Sequence, residues 1–166
     1  IAARVPELAR QIVDAAGPGD DEILLVAVMT GAFIFAADLV RAMRAPLRVS
    51  SVAISSYPGA ATSSQGVRLL GELPSDIEGR RVVVVDDVLD SGRTVAYLRE
   101  QFMARRPRWF AAAVLLRKPV ASAMATPCEF VGFDIPDEFV VGYGLDFDGC
   151  YRHLPEVRVL HPEARA

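Results

Sequence analysis

Apolar positions along this chain follow two alternating rhythms. Leu8, Ile12 and Val13, with Glu7 early in the segment, recur at helical spacing, and the segment stops at Gly17-Pro18-Gly19. Residues 23–29 then form an unbroken apolar run of strand length, Thr30-Gly31 interrupts it, and Phe33, Phe35, Leu39, Val40 and Met43 resume at mixed helical spacing. Strand, tight loop and helix are predicted there. Residues 47–54 read as another strand, 55–66 as a loop rich in Ser, Gly, Ala and Thr, and 67–70 as its returning arm. The strongly β-branched 81–85 predicts a strand, and 95–103 a helix after Gly92. A further buried strand is expected at 111–116, with shorter ones at 139–141 and 157–160.

Strands that are apolar throughout, alternating with helices, indicate a parallel sheet covered on both faces; a sheet wet on one face would alternate apolar and polar residues. The predicted class is therefore α/β, a Rossmann-like, mainly parallel sheet flanked by helices. No repeat or long linker divides the sequence, so 1–166 is read as one domain. In such sheets ligands gather at the carboxyl ends of the strands, which should bring Thr30-Gly31, residues 86–94 and Lys118 to one rim.

Composition narrows the possible partners. A formal charge of -3 and a pI near 5.4 give no overall attraction for a polyanion, so nucleic acid is not an expected partner. The stretch 23–37 is broken at Thr30-Gly31 and falls short of the ~20 apolar residues of a spanning helix. No leader pattern opens the sequence, and the expected compartment is the cytoplasm. Cys128 and Cys150 stand alone, and His153 and His161 are not at zinc spacing, so the thiols read as structural or incidental, in keeping with a reducing environment.

Chemistry concentrates after the four valines 82–85. Asp86 and Asp87 put two carboxylates where a buried strand emerges at the ligand edge, with side chains toward opposite faces. One can coordinate Mg²⁺ or a ribose hydroxyl while the other bonds the supporting loop; alternatively both cap a turn. Asp90-Ser91-Gly92-Arg93-Thr94 adds hydroxyls, a flexible Gly and a cation as the chain turns into a helix, whose N-terminal N–H groups and dipole favour a phosphate. The glycine spacing and Lys-Ser/Thr pair of the nucleoside triphosphate loop are absent. A plain Ser or Asp helix cap would need no ligand.

The run VVVVDDVLDSGRT at 82–94 resembles the phosphoribosyl pyrophosphate signature of type I phosphoribosyltransferases, and 26–43, 55–73 and 129–155 resemble successive segments of the hypoxanthine-guanine members. The resemblance covers about 23–160 and implies that family's fold, with 56–66 as a mobile lid and 127–160 contributing a purine-binding hood. It implies attack of a purine nitrogen on C1 of phosphoribosyl pyrophosphate, giving IMP or GMP and pyrophosphate from hypoxanthine or guanine. Mg²⁺ would be held at Asp86 and Asp87, with Asp146 contributing to a second ion. By the same resemblance Asp90 is the general base, and Ser91, Gly92, Arg93 and Thr94 form the 5′-phosphate turn. Lys118 contacts the 6-oxo group, Phe139 and the Val140 backbone hold the ring, and Arg152 grips pyrophosphate. Ser56 and Tyr57 begin the lid, and Thr30-Gly31 forms the pyrophosphate loop.

Many relatives carry Lys or Arg before that Gly, sometimes with a non-proline cis peptide; Thr30 supplies a hydroxyl and an N–H but no charge. Relatives are dimers or tetramers, so a homodimer or homotetramer is expected, with the apolar 33–43 helix at an interface. The alternatives are a non-catalytic sensor of phosphoribosyl pyrophosphate or a nucleotide on the same fold, and a transferase that prefers xanthine.

Overall fold

The computed structural model describes residues 1–19, 21–56 and 67–161. Its first element, α1 (Arg4–Ala16), buries Val5, Leu8, Ala9 and Ile12, the spacing that one helix face allows, and Gly17 ends it at φ 77°. Next come β1 (Ile23–Met29), α2 (Phe33–Ala42), β2 (Leu47–Ser56) and β3 (Val67–Leu70). β4 (Arg81–Leu89) leads into α3 (Arg93–Met103). β5 (Trp109–Arg117) is followed by α4 (Ala121–Ala125), β6 (Phe130–Asp134), β7 (Val140–Val141) and β8 (Arg158–Val159).

Among the described residues the main sheet has the order β3-β2-β1-β4-β5-β6, parallel except for β3, which runs antiparallel to β2 at one edge. β7 and β8 pair as a separate antiparallel ribbon. Because β2 lies on one side of β1 and β4 on the other, the strand order reverses between β1 and β4 and opens a crevice at their carboxyl ends.

Strand parity divides the core. Leu25, Ala27, Val83, Val85, Ala113 and Leu115 pack with α1 and α2. The alternate residues Leu24, Val26, Val28, Val82 and Val84 pack with Leu98 and Phe102 of α3. Both faces of the central strands are thus covered, as their continuous apolar runs predict, and each buried aliphatic side chain favours this arrangement by about 1.5–3 kcal/mol.

The structure departs from the sequence pattern in three places. β4 continues four residues beyond the valines, because its ladder with β5 carries on through Asp86↔Val114, Val88↔Leu116 and Leu89↔Arg117. Asp86 and Asp87 are therefore strand residues, not the strand's exit. The other two additions are α4, a single short turn, and β6, which pairs with β5. At the opposite end of β4, buried Arg81 donates to the carbonyls of Gly17 (2.7 Å), Gly19 (3.3 Å) and Asp21, pinning the loop that enters β1. Among the described residues no helix is long and apolar enough to cross a membrane.

Candidate active site

The carboxyl ends of β1, β4 and β5 form the rim on which the sequence concentrates its polar residues. The Lys118 N–H donates to the Leu89 carbonyl (3.1 Å), so the segment after β5 starts level with the turn after β4. Thr30 is exposed after β1, and the peptide bond before it, Met29–Thr30, is cis. The cis bond thus lies one residue ahead of Thr30-Gly31.

Asp86 is buried (7% exposed) and Asp87 is half-buried beside it. Asp86 Oδ1 accepts the Asp87 N–H (3.0 Å), and Asp87 Oδ1 accepts the Val88 N–H (2.7 Å). Burial first, then the charge of Asp87, holds the Asp86 carboxyl well above the usual carboxylate range. Asp87 is also raised by burial, while the Val88 N–H, its bond with Asp86 and the positive charge of Arg152 pull it back. Two carboxylates are thus forced together with too little positive charge to balance them.

That imbalance suits a hard divalent cation, which takes oxygen ligands from one or two carboxylates and completes its shell with water and phosphate oxygens. Among the described residues no group of three or more His, Cys, Asp or Glu side chains is arranged to hold a metal by itself. The cation would therefore share its ligands with a bound phosphate.

The crevice is tight at Gly31. A Cβ there would lie 1.8 Å from Asp87 Oδ2, so only glycine lets the loop after β1 rest against the carboxylate. Gly144, at φ 105°, approaches Gly31 in the same way: its Cβ would lie 2.3 Å from the Gly31 carbonyl oxygen.

After β4, Asp90, Ser91 and Arg93 are exposed, Thr94 is half-buried, and buried Gly92 takes a left-handed conformation at φ 76°. The helix cap reading of Asp90 or Ser91 is corrected here. Gly92 is the N-cap of α3 and no side chain caps it, because the chain reaches helical geometry only at Arg93. The first-turn N–H groups consequently face the rim without a capping side chain, with Ser91 and Thr94 on either side of Gly92.

Lys118 lies mostly inside, its side chain 12% exposed, with its ammonium 3.4 Å from both Asp90 and Asp137. Arg117 is committed elsewhere, to Asp134 on β6 at 2.7 and 3.1 Å. Phe139 is 38% exposed and meets Phe147 edge-on at 5.7 Å, while Val140 pairs with Val159 in the separate ribbon. Asp146 accepts the Gly149 N–H (2.8 Å) and pairs with Arg152 (2.8 Å); Arg152 also donates to the Gly144 carbonyl (2.7 Å). Asp148 is an exposed turn residue at φ 49°.

Ser56 ends β2, and Tyr57 with the rest of the expected lid lies outside the described residues. A hollow of about 480 Å³ opens behind Val140, lined by Leu116, Phe133 and Val159 and by none of the rim carboxylates. It holds none of the Asp86, Asp87 and Asp90 carboxylates, so the chemistry is assigned to the crevice. Sequence reasoning missed Asp137 and Gly144. The first sits in Pro136-Asp137-Glu138, which reads as an ordinary solvated turn; the second stood out only as one glycine of a loop.

Three comparisons bear on this geometry. A phosphoribosyl transferase domain model matches residues 1–148. The hypoxanthine phosphoribosyltransferase of Salmonella typhimurium is 43% identical over 157 residues, covering 95% of this chain and 88% of that protein. The hypoxanthine-guanine phosphoribosyltransferase of Mycobacterium avium is 46% identical over 167 residues, 98% of this chain and 82% of the other. Among solved structures, a point mutant of Trypanosoma cruzi hypoxanthine phosphoribosyltransferase in a ternary substrates complex superposes with a TM-score of 0.90. It is 37% identical, over 99% of this chain and 92% of that one.

Proposed function

The chain belongs to the phosphoribosyltransferase family as a hypoxanthine(-guanine) phosphoribosyltransferase, a purine-salvage transferase with the type I fold, and from that premise we propose its substrates and the division of labour in its site. The donor is phosphoribosyl pyrophosphate, the acceptor is N9 of hypoxanthine and also of guanine, and the products are IMP or GMP and pyrophosphate. The observation that carries this reading is the meeting, along one rim of adjacent strands, of buried Asp86 beside half-buried Asp87, an uncapped helix start and a Lys118 ammonium set between two acids.

In the reaction the C1–O bond to pyrophosphate breaks with its electron pair leaving on oxygen, and the N9–C1 bond forms. Asp86 and Asp87 hold the ribose side, together with Mg²⁺, which when bound neutralises charge on the leaving pyrophosphate. Asp146 would help to hold a second ion. The 5′-phosphate rests on the Ser91, Gly92, Arg93 and Thr94 turn, receiving α3 N–H groups and both hydroxyls. Asp90 accepts the proton of purine N7 as N9 attacks. Lys118 donates to the 6-oxo oxygen, Phe139 stacks on the ring, and the Val140 backbone meets its edge.

Thr30 and Gly31 present backbone N–H groups to pyrophosphate, and Arg152 supplies the positive charge that Thr30 lacks. Residues 127–160 act as the hood, and 56–66, with Ser56 and Tyr57 first, as the lid that excludes water. Assembly as a homodimer or homotetramer completes the reading. Met29, Phe33 and Val49 stay 39%, 38% and 56% exposed around a hollow of about 390 Å³ beside α2, which supports self-association through that face.

The test is direct. Incubation with Mg²⁺, phosphoribosyl pyrophosphate and, separately, hypoxanthine, guanine, xanthine and adenine should give nucleotide and pyrophosphate from the first two. Absence of product from every 6-oxopurine would remove the reading, and product from xanthine alone would replace the acceptor.

A further inference from the structure

We propose that Asp137 positions Lys118 for the base, holding its ammonium off Asp90 so that cation and carboxylate both remain free to act on the purine. This rests on the roles of Lys118 and Asp90 given above.

The geometry starts from the stem of Lys118. With the side chain 12% exposed, most of its stem is out of water. The head lies 3.4 Å from Asp90 Oδ1 and 3.4 Å from Asp137 Oδ1. Both distances exceed the roughly 2.7–2.9 Å of a charge-assisted hydrogen bond, so the ammonium is balanced between two anions and locked to neither. The carboxylates come from separate parts of the chain, Asp90 from the turn after β4 and Asp137 from the segment between β6 and β7. Asp134 takes no part, because it is paired with Arg117.

A 6-oxopurine makes a particular demand here. Its O6 and N7 lie side by side on one edge, so a donor for O6 and an acceptor for the N7 proton must stand next to each other without satisfying each other. Alone with Asp90, Lys118 would be drawn into a direct pair, and substrate would have to break it. Asp137 supplies a second anion at the same distance, carried by another segment of the chain.

A double-mutant cycle under saturating Mg²⁺ and phosphoribosyl pyrophosphate, with hypoxanthine varied, tests this. Asp137→Asn should raise the KM for hypoxanthine about three- to fivefold, the effect of losing one exposed ion pair, while a separate titration of phosphoribosyl pyrophosphate at saturating hypoxanthine should give an unchanged KM for it. Asp137→Glu should restore most of the loss. In a Lys118→Met background, Asp137→Asn should change nothing further. Equal losses in both backgrounds, or no change in hypoxanthine KM with Lys118 present, would overturn the proposal while leaving the Lys118 role intact. An unchanged hypoxanthine KM in Lys118→Met itself would instead remove the underlying reading, and the proposal with it.

Discussion

At Asp86 the chain takes a carboxyl group out of water beside a second carboxylate, which ties the stability of the fold to protons. An unfolded aspartate titrates near ~3.9, and burial with the Asp87 charge raises the folded value. A group raised in this way supports the fold fully below its unfolded value and loses that support as pH rises through the folded one. Asp86→Asn, neutral at every pH, should therefore melt close to the parent at about pH 4 and increasingly above it toward neutrality in metal-free buffer. Thermal unfolding of both proteins across pH measures the gap, and a gap that stays constant would show that the carboxyl charge is not its cause. Mg²⁺ with phosphoribosyl pyrophosphate should reverse the order, since a ligand stabilises the form that binds it better. The presence of this pair next to the rim was legible in the sequence, but not its place inside the strand. Its burial was not, because an apolar run does not reveal how far a ladder continues past it. Asp137 was illegible for a different reason: its partner Lys118 lies nineteen positions away in the chain, beyond any local pattern.

Among the elements, β1 was predicted to its ends because burial on both faces leaves an unbroken apolar run bounded by polar residues. β6 was hidden. Gly132 interrupts it, and glycine usually argues against a strand interior, yet here its missing side chain is what the packing requires. A Cβ at 132 would lie 2.4 Å from the Leu115 carbonyl oxygen on β5. Gly132→Ala should accordingly push β6 away from β5 and cost about 1–3 kcal/mol of stability, as overpacking does; urea denaturation at unchanged m-value would measure it. Because β6 carries Asp134, the partner of Arg117, the variant should also disturb the approach to Lys118. α4 escaped notice because five residues are too few to show a helical period.

For the molecule as a whole, the alternation of strand and helix was enough to place three polar segments on one rim, since in this topology only the carboxyl ends face the crevice. The separate β7–β8 ribbon reached the sequence reading only as two short strands, because two residues a side leave almost no pattern. Self-association belongs to this scale. The purified protein should sediment as a dimer or tetramer at micromolar concentration, and Val49→Lys, which puts a charge into the apolar face, should shift it toward monomer; a parent protein that sediments as a monomer would dismiss assembly through that face. The crevice has a further consequence in the long run of descent. Loops ordinarily absorb more change than the elements they join, but the loop after β7 meets the one after β1 at Gly144 with no space for a single methyl group, and Gly31 is pressed in turn against Asp87. At 144 the obstacle is backbone, which no compensating side-chain replacement can move aside, and at 31 it is Asp87. The connection after β7 is thus closed to drift where it touches the one after β1, whereas residue 31 can change only in company with Asp87.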